Sequence, residues 1–428
     1  MAILLFFVLV LLGMPLAFAI LAAMAVFMGM GDFPYHLRIV ATETFKGLNS
    51  YPLLAIPLFI LAGELMNESG ITTRIIAFAN VLVGRLRAGL ALVNIWASVI
   101  FAGLSGSAIA DTSALGRVFI PEMERHGYRR DFAAALTAAS SIIGPIIPPS
   151  IPVIIYALTV TGVSVPALFL AGVVPGVLLA LFLSAYVLTW VKVDSPDHAN
   201  ETEALSGGQT AAQALRGGIL PLMMPLFVVG SILLGVVTPT EAASFAVGYA
   251  LFIGLVVYRN IRLSALPRIF SAAMRDSAVI MIIIAAVAAA NWVLTYNRVP
   301  NMLTDWVLGA VDSQTSFLLA VMVLLLVVGL FLEGIAAMLV LAPILAPIAV
   351  SLGIDPVHFG IVVIFNLMIG LITPPLGLCL FVAEGIANVG IGRLTRQIFP
   401  LFLVEVAVLA VITFLPDTVT FLPRLFGY

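Results

Sequence analysis

The chain has 428 residues, of which 62% are hydrophobic and only 9% charged, with a formal net charge of −2. Soluble domains carry about 25% charged residues, so this composition excludes a water-soluble globular protein and marks a polytopic helical chain whose solvent is the lipid bilayer. The near-neutral charge points away from nucleic acid as a partner, and the single cysteine, Cys379, excludes an internal disulfide.

In chain order, residues 2–30 read as a first spanning helix rather than a signal peptide. The apolar run exceeds the usual core of about 7–15 residues, and no basic segment precedes it. A polar link with Asp32, His36, Arg38 and Lys46 leads to a second helix over 50–66. Residues 71–87 mix Arg74, Arg85 and Arg87 with apolar side chains, the pattern of a helix lying along the interface. Residues 90–121 predict a helical hairpin bent at Ser105-Gly106-Ser107. After Arg125, Arg129 and Arg130 comes a broken helix over 131–161, interrupted at Gly144-Pro145 and at Pro148-Pro149-Ser150. A helix over 165–191 precedes the longest polar stretch, 193–216, whose composition is that of a flexible linker. Then follow helices over 217–237 and 241–258, a basic link over 259–275 and a helix over 277–295. A second interfacial piece (297–312), a second hairpin (317–352), a second broken helix (356–388) and a closing helix (397–415) complete the chain.

The hairpin and broken helix are repeated. Residues 101–157 lie on 327–383 without a gap at an offset of 226. Gly103, Pro121, Gly127, Gly144, Pro148 and Pro149 then meet Gly329, Pro347, Gly353, Gly370, Pro374 and Pro375. Apolar matches are cheap in membrane helices, but glycine and proline in register are not. Paired interruptions of this kind are the sequence mark of a secondary transporter's binding region.

Basic residues set the expected topology. Arg85/Arg87, Arg125/Arg129/Arg130, Lys192/Arg216, Arg259/Arg262/Arg268/Arg275 and Arg393/Arg396 fall on the cytoplasmic side by the positive-inside rule. Five crossings then separate the two hairpins, so the second opens on the opposite side and the repeat is inverted. The expected units are a first repeat over 1–192, a cytoplasmic linker with a connecting helix over 193–237, and a second repeat over 238–428.

The chemistry concentrates at the interruptions. Ser105-Gly106-Ser107 supplies hydroxyls and bare carbonyls, and Asp111 follows inside an apolar run, where an acid is a functional-site hypothesis by default. A hard cation such as Na⁺ uses this oxygen set, and carbonyls freed at Gly144-Pro145 would complete its shell. The competing reading makes Asp111 a helix cap. Glu333, followed by Gly334, is the second hairpin's acid, with the same two readings. Pro148-Pro149 and Thr373-Pro374-Pro375 each remove two backbone donors, freeing carbonyls one turn earlier. Helices starting after them, beyond Pro149 and Pro375, direct positive dipole ends at a substrate carboxylate. Ser140, Ser141, Ser150 and Asn366 are the nearby polar side chains, each also readable as a helix-packing residue.

Other functions fit less well. Gly103-Leu104-Ser105-Gly106 spells GxSG, which resembles the nucleophile motif of rhomboid intramembrane proteases. That chemistry needs a histidine at membrane depth, and His36, His126, His198 and His358 all fall in or beside expected loops. A passive channel does not need interruptions paired across inverted halves. No phosphate-binding loop is present, so ATP hydrolysis by this chain is not expected.

Five motifs together, GLSGSAIADTSALG (103–116), SSIIGPIIPPS (140–150), TPTEAA (238–243), GIDPVHFGI (353–361) and IGLITPPLG (369–377), are similar to the large membrane subunit of TRAP (tripartite ATP-independent periplasmic) transporters. The resemblance covers essentially the whole chain. It implies an all-α inner-membrane importer of organic acids, C4-dicarboxylates or sialic acids among them, coupled to Na⁺. It implies an elevator in which a transport domain of hairpins and broken helices moves against a scaffold. It also implies a periplasmic substrate-binding protein and a small membrane subunit of about four helices as partners. Carried over, Ser105, Gly106, Ser107, Asp111, Gly144 and Pro145 fall in a first Na⁺ region, and Glu333, Gly334, Gly370 and Thr373 in a second. Substrate is expected between the two hairpin tips.

The arginine pattern is directly testable. A cysteine placed at Gly207 should resist an impermeant thiol reagent in intact cells, while one at Gly353 should be labelled. The reverse result would overturn the inverted arrangement.

Overall fold

The computed structural model describes residues 2–29, 37–191, 210–310 and 313–428, and among them every regular element is helical. Six helices are long and apolar enough to cross a bilayer, or up to seven when one bent pair is taken as a single span. Helices are the only open-ended elements that satisfy every backbone group internally in lipid.

The first part of the chain folds as α1 (Ala2–Leu11), α2 (Leu16–Gly29), α3 (Leu37–Leu48), α4 (Ala55–Glu68) and α5 (Ile71–Val83). The single helix expected over 2–30 is broken, because Pro15 has no N–H and disfavours helical backbone at the residue before it. Gly13 turns the chain there with φ of 85°. The expected polar link is itself largely helical as α3, which bends by 63° into the span that follows. Its Asp32 and His36 lie outside the described residues.

The first hairpin is α6 (Gly89–Ser105) and α7 (Ala108–Arg125). The first broken helix is α8 (Arg130–Ser141) and α9 (Ile151–Thr159), followed by α10 (Val165–Trp190). Next comes α11 (Ala211–Leu233), whose start is fixed by a capping box between Thr210 and Gln213. Reciprocal capping of this kind satisfies two orphan donors, so the end of the expected linker is helical, while 192–209 lies outside the described residues. After α12 (Pro239–Phe252) and one π turn, α13 (Leu266–Tyr296) begins eleven residues before the expected 277. It absorbs the second part of the basic link, from Leu266 on, and its Arg268 pairs with Glu68 of α4. The chain then repeats its pattern as α14 (Val299–Ala310), the hairpin α15 (Gln314–Gly329) and α16 (Gly334–Ser351), and the broken pair α17 (Pro356–Gly370) and α18 (Leu378–Ala387). It ends with α19 (Ile391–Phe414) and α20 (Asp417–Leu425), the last not anticipated and packed on α10. Ala108 and Gly334, Arg130 and Pro356, and Val165 and Ile391 each open paired helices, and each pair is 226 residues apart.

Two groups of helices emerge from the packing. Helices α2–α5 pack with α11–α13, with α1 resting on α2, and the hairpins and broken helices pack with α10 and α19. The halves interlock by exchange. α9 from the first break packs on α16 of the second hairpin, and α18 from the second break packs on α7 of the first. Burial follows this plan: 67% of the most apolar stretch of α10 is buried, against 28% of that of α11.

Small residues permit a close crossing in the second half. A Cβ on Gly370 would stand 2.8 Å from the Gly329 carbonyl oxygen, so the second hairpin touches its broken helix backbone to backbone. Gly370→Ala should therefore cost about 1–3 kcal/mol through overpacking. Gly385→Ala, in α18 with open space around it, should be neutral or stabilising by up to about 1 kcal/mol. Thermal unfolding of the detergent-purified variants checks the contrast.

Candidate functional site

The first hairpin turns where Gly106 takes a left-handed conformation, φ 60°. Ser107 then caps α7, its hydroxyl accepting from the Ala110 N–H at 3.4 Å. The cap role is thus filled by Ser107, and Asp111 lies one position beyond the first three residues of α7. Asp111 is fully buried. Its Oδ1 accepts the Ser105 hydroxyl, and Ser105 Oγ also accepts the Ser107 N–H at 3.2 Å. The other oxygen, Oδ2, is buried with no hydrogen-bond partner. It lies against the α-carbon of Gly144, so closely that any Cβ there would collide with it.

Gly144 opens the break between α8 and α9. Pro148 and Pro149 lack N–H groups, which leaves the carbonyls of Gly144 and Pro145 without their helical donors. The Ser150 hydroxyl answers Pro145 and also caps α9 by accepting from the Val153 N–H at 3.2 Å. The Gly144 carbonyl accepts no backbone hydrogen bond from the described residues. The turn closes on the hairpin: a Cβ on Gly106 would stand 2.8 Å from the Pro149 carbonyl oxygen. Ser105, Gly106, Ser107, Asp111, Gly144, Pro145, Pro149 and Ser150 are thus one contiguous group. An unpartnered buried polar atom costs about 1–3 kcal/mol, and this group holds one on Asp111. Ser105 and Ser107 are half-buried at its rim.

The second half is built differently. Glu333 is the N-cap of α16, its two oxygens accepting from the N–H groups of Ile335 at 3.1 Å and Ala336 at 2.9 Å. Of the two readings the sequence leaves for Glu333, ion-binding acid or helix cap, the contacts made here are those of the cap. Gly334 sits against Leu367 and Met368, and Gly370 against Gly329. The break between α17 and α18 answers its own freed carbonyls. Gly370 O accepts the Thr373 N–H at 3.2 Å, and Leu371 O accepts the Cys379 N–H at 2.9 Å. The Thr373 hydroxyl donates to Ile369 O at 2.7 Å. Pro375 is exposed, whereas Pro149 is buried.

The remaining candidates fasten helices together. Ser140 accepts from Ser98 of α6 at 2.9 Å, and Ser141 donates to Thr137 O at 2.6 Å. Asn366, the counterpart of Ser140 at the 226 offset, donates from its amide to Met322 O of α15 at 3.0 Å. All three are fully buried rather than facing open space; Ser140 and Asn366 tie each broken helix to its hairpin, while Ser141 bonds within α8. His358 stands in the first turn of α17, beside the loop that precedes it. It is buried inside α17, with Nε2 bonded to the Ile412 carbonyl at 2.8 Å. Ser105 has Asp111, not an imidazole, as its partner. Glu405 of α19, fully buried and not singled out from sequence, is a further acid at membrane depth. Its place in the apolar run LFLVEVAVLAVITF was the available signal.

Among the described residues no three His, Cys, Asp or Glu side chains converge on a metal-binding point. Hydroxyl, carbonyl and single carboxylate oxygens are instead the donor set of a hard monovalent cation. Interrupted backbone of this kind is tolerated in a membrane protein only where it is buried or lines a polar path, and a fold that carries it twice in register is that of a secondary transporter. The comparisons refine this class. The chain belongs to the family "Tripartite ATP-independent periplasmic transporter, DctM component", whose model matches residues 3–418. It is a transporter permease subunit of the inner membrane and not an enzyme.

Relatives agree over nearly the full length. The chain is 39% identical to the sialic acid TRAP transporter large permease protein of Vibrio cholerae, over 97% of this chain and 96% of that one. It is 37% identical to the 2,3-diketo-L-gulonate TRAP transporter large permease protein of Escherichia coli, over 95% of each chain. It is 36% identical to the C4-dicarboxylate TRAP transporter large permease protein of Rhodobacter capsulatus, over 98% of this chain and 97% of that one. The YdaH transporter of Alcanivorax borkumensis shares the fold alone, with a TM-score of 0.65 at 16% identity, covering 96% of this chain and 97% of that one.

Proposed function

We propose that the chain is the large permease of a Na⁺-coupled importer of an organic acid, supplied by a periplasmic binding protein and completed by a small membrane subunit of about four helices. The observation that carries the ion is Asp111: a sealed carboxylate with one oxygen satisfied by Ser105 and the other left bare against Gly144. A bound cation supplies the missing positive charge there. The residues of the chain do the rest: Ser105 orients the carboxylate, Ser107 holds the helix start, and the proline pair keeps the Gly144 carbonyl out of a helical bond. The second region rests on backbone around Gly370 and Thr373, with Glu333 holding the start of α16.

A carboxylate substrate fits between the hairpin tips, towards which the start of α18, without a side-chain cap, brings a positive dipole end. The named relatives carry sialic acid, 2,3-diketo-L-gulonate or C4-dicarboxylates, and these three define the first substrate screen. The exchange of α9 and α18 between halves makes hairpins and broken helices one body, which supports an elevator motion of that body against α1–α5 and α11–α13.

Two results test this reading in proteoliposomes holding permease, small subunit and binding protein. Uptake of one of the three acids should follow an inward Na⁺ gradient and ignore ATP; uptake unchanged when choline replaces Na⁺ would sink it. Asp111→Asn keeps an oxygen for the Ser105 hydroxyl but removes the formal charge. The loss is electrostatic, about 1–2 kcal/mol at least, which corresponds to roughly a tenfold rise in half-saturating Na⁺. A wild-type Na⁺ dependence in monodisperse Asp111→Asn protein would remove Asp111 from the ion site.

A further inference from the structure

Glu405 has no counterpart in either ion region. It lies about 21 Å along a helix about 36 Å long, at 1.5 Å per residue, well inside the apolar part of α19. Its side chain is fully buried, and neither carboxyl oxygen has a hydrogen-bond partner. Asp111 leaves one oxygen bare; Glu405 leaves both.

Among the described residues, none on the helices packed against α19 supplies it a charge. α19 packs against α8, α10, α17, α18 and α20. On α8, Arg130 is held by Glu124 and by the Ile386 and Ala387 carbonyls, and Asp131 by Arg129. On α17, His358 is bonded to the Ile412 carbonyl. On α18, Glu384 accepts from the Gly390 N–H. On α20, Asp417 and Arg424 pair with each other, and α10 contributes only Tyr186 as a titratable group. On α19 itself, Arg396 is about 13 Å away along the axis at 1.5 Å per residue. Among the described residues the thiol of Cys379 on α18 lies within electrostatic range of Glu405, and also of Thr112 and Asp111 on α7.

An ionised carboxylate sealed from water, with neither donor nor cation, sheds its charge. We propose that Glu405 is a proton-binding site of this permease, holding one exchangeable proton while α18 covers it. Release breaks the carboxyl O–H bond, passes the proton to water and leaves a carboxylate, which α18 cannot cover again until a proton returns. The cover is suited to this. α18 has only ten residues, lacks a side-chain cap at its start, and follows a turn in which Pro375 and Leu376 are exposed. Because α18 also backs α7 beside Asp111, protonation of Glu405 and the state of the first ion region bear on the same helix.

Cys379 is the only cysteine in the chain and reports on the cover. The test uses the full permease purified with its small subunit, at fixed Na⁺ and without substrate, so a failure of Na⁺ coupling leaves the readouts intact. Infrared spectra should show a protonated-carboxyl band that is lost in Glu405→Gln and retained in Asp111→Asn. Labelling of Cys379 by a small membrane-permeant thiol reagent should accelerate with pH in the wild type, becoming several-fold faster than in Glu405→Gln at alkaline pH. Glu405→Met, apolar and of similar length, serves the same comparison where the Gln variant is not monodisperse. An unchanged infrared band in the variants, or identical pH dependence of labelling in wild type and variants, would overturn the proposal.

Discussion

The structure depends on how backbone groups are answered inside an apolar interior. A membrane offers no water to an orphan N–H or carbonyl, and consecutive prolines remove donors that no neighbouring turn replaces. Pro148-Pro149 and Pro374-Pro375 do this at matching places in the chain. Each half must respond, and the response decides what the half can bind.

The two responses differ. In the second half the Thr373 and Cys379 N–H groups fold back onto the carbonyls of Gly370 and Leu371, and Glu333 closes the start of α16. In the first half Ser150 answers only Pro145. The Gly144 carbonyl and Asp111 Oδ2 are left beside each other's residues, sealed by the hairpin tip. A related scaffold thus carries one break whose freed carbonyls are answered by backbone and one that leaves a carboxylate oxygen bare. The exchange of α9 and α18 between halves joins the two, since each short helix starts at one break and rests on the other half's hairpin.

Much of this was legible in the residues. The hairpin bend at 105–107 and the breaks at 144–150 and 373–377 followed from glycine and proline chemistry, which acts locally. The boundaries that were missed are those set by other forces. α3 and the first turns of α13 look polar in sequence, yet they form because Arg268 reaches Glu68 and α3 lies along α13. The kink at Pro15 was masked by an apolar run without a polar break.

The sequence by itself determined the class of solvent, the hairpin bend and the two paired proline breaks, their register along the chain and the residues gathered at the first site. Those depend on composition, on backbone donors and on spacing along one chain. Only the tertiary structure decided roles. Asp111 and Glu333 look alike in sequence, an acid near a hairpin bend, but one faces Gly144 across the fold while the other turns back on its own helix. Ser140 and Asn366 became fasteners because of what lies opposite them. Glu405 is isolated because the helices packed around α19 bury it and, among the described residues, bring no donor to it, a fact of packing that no local pattern encodes.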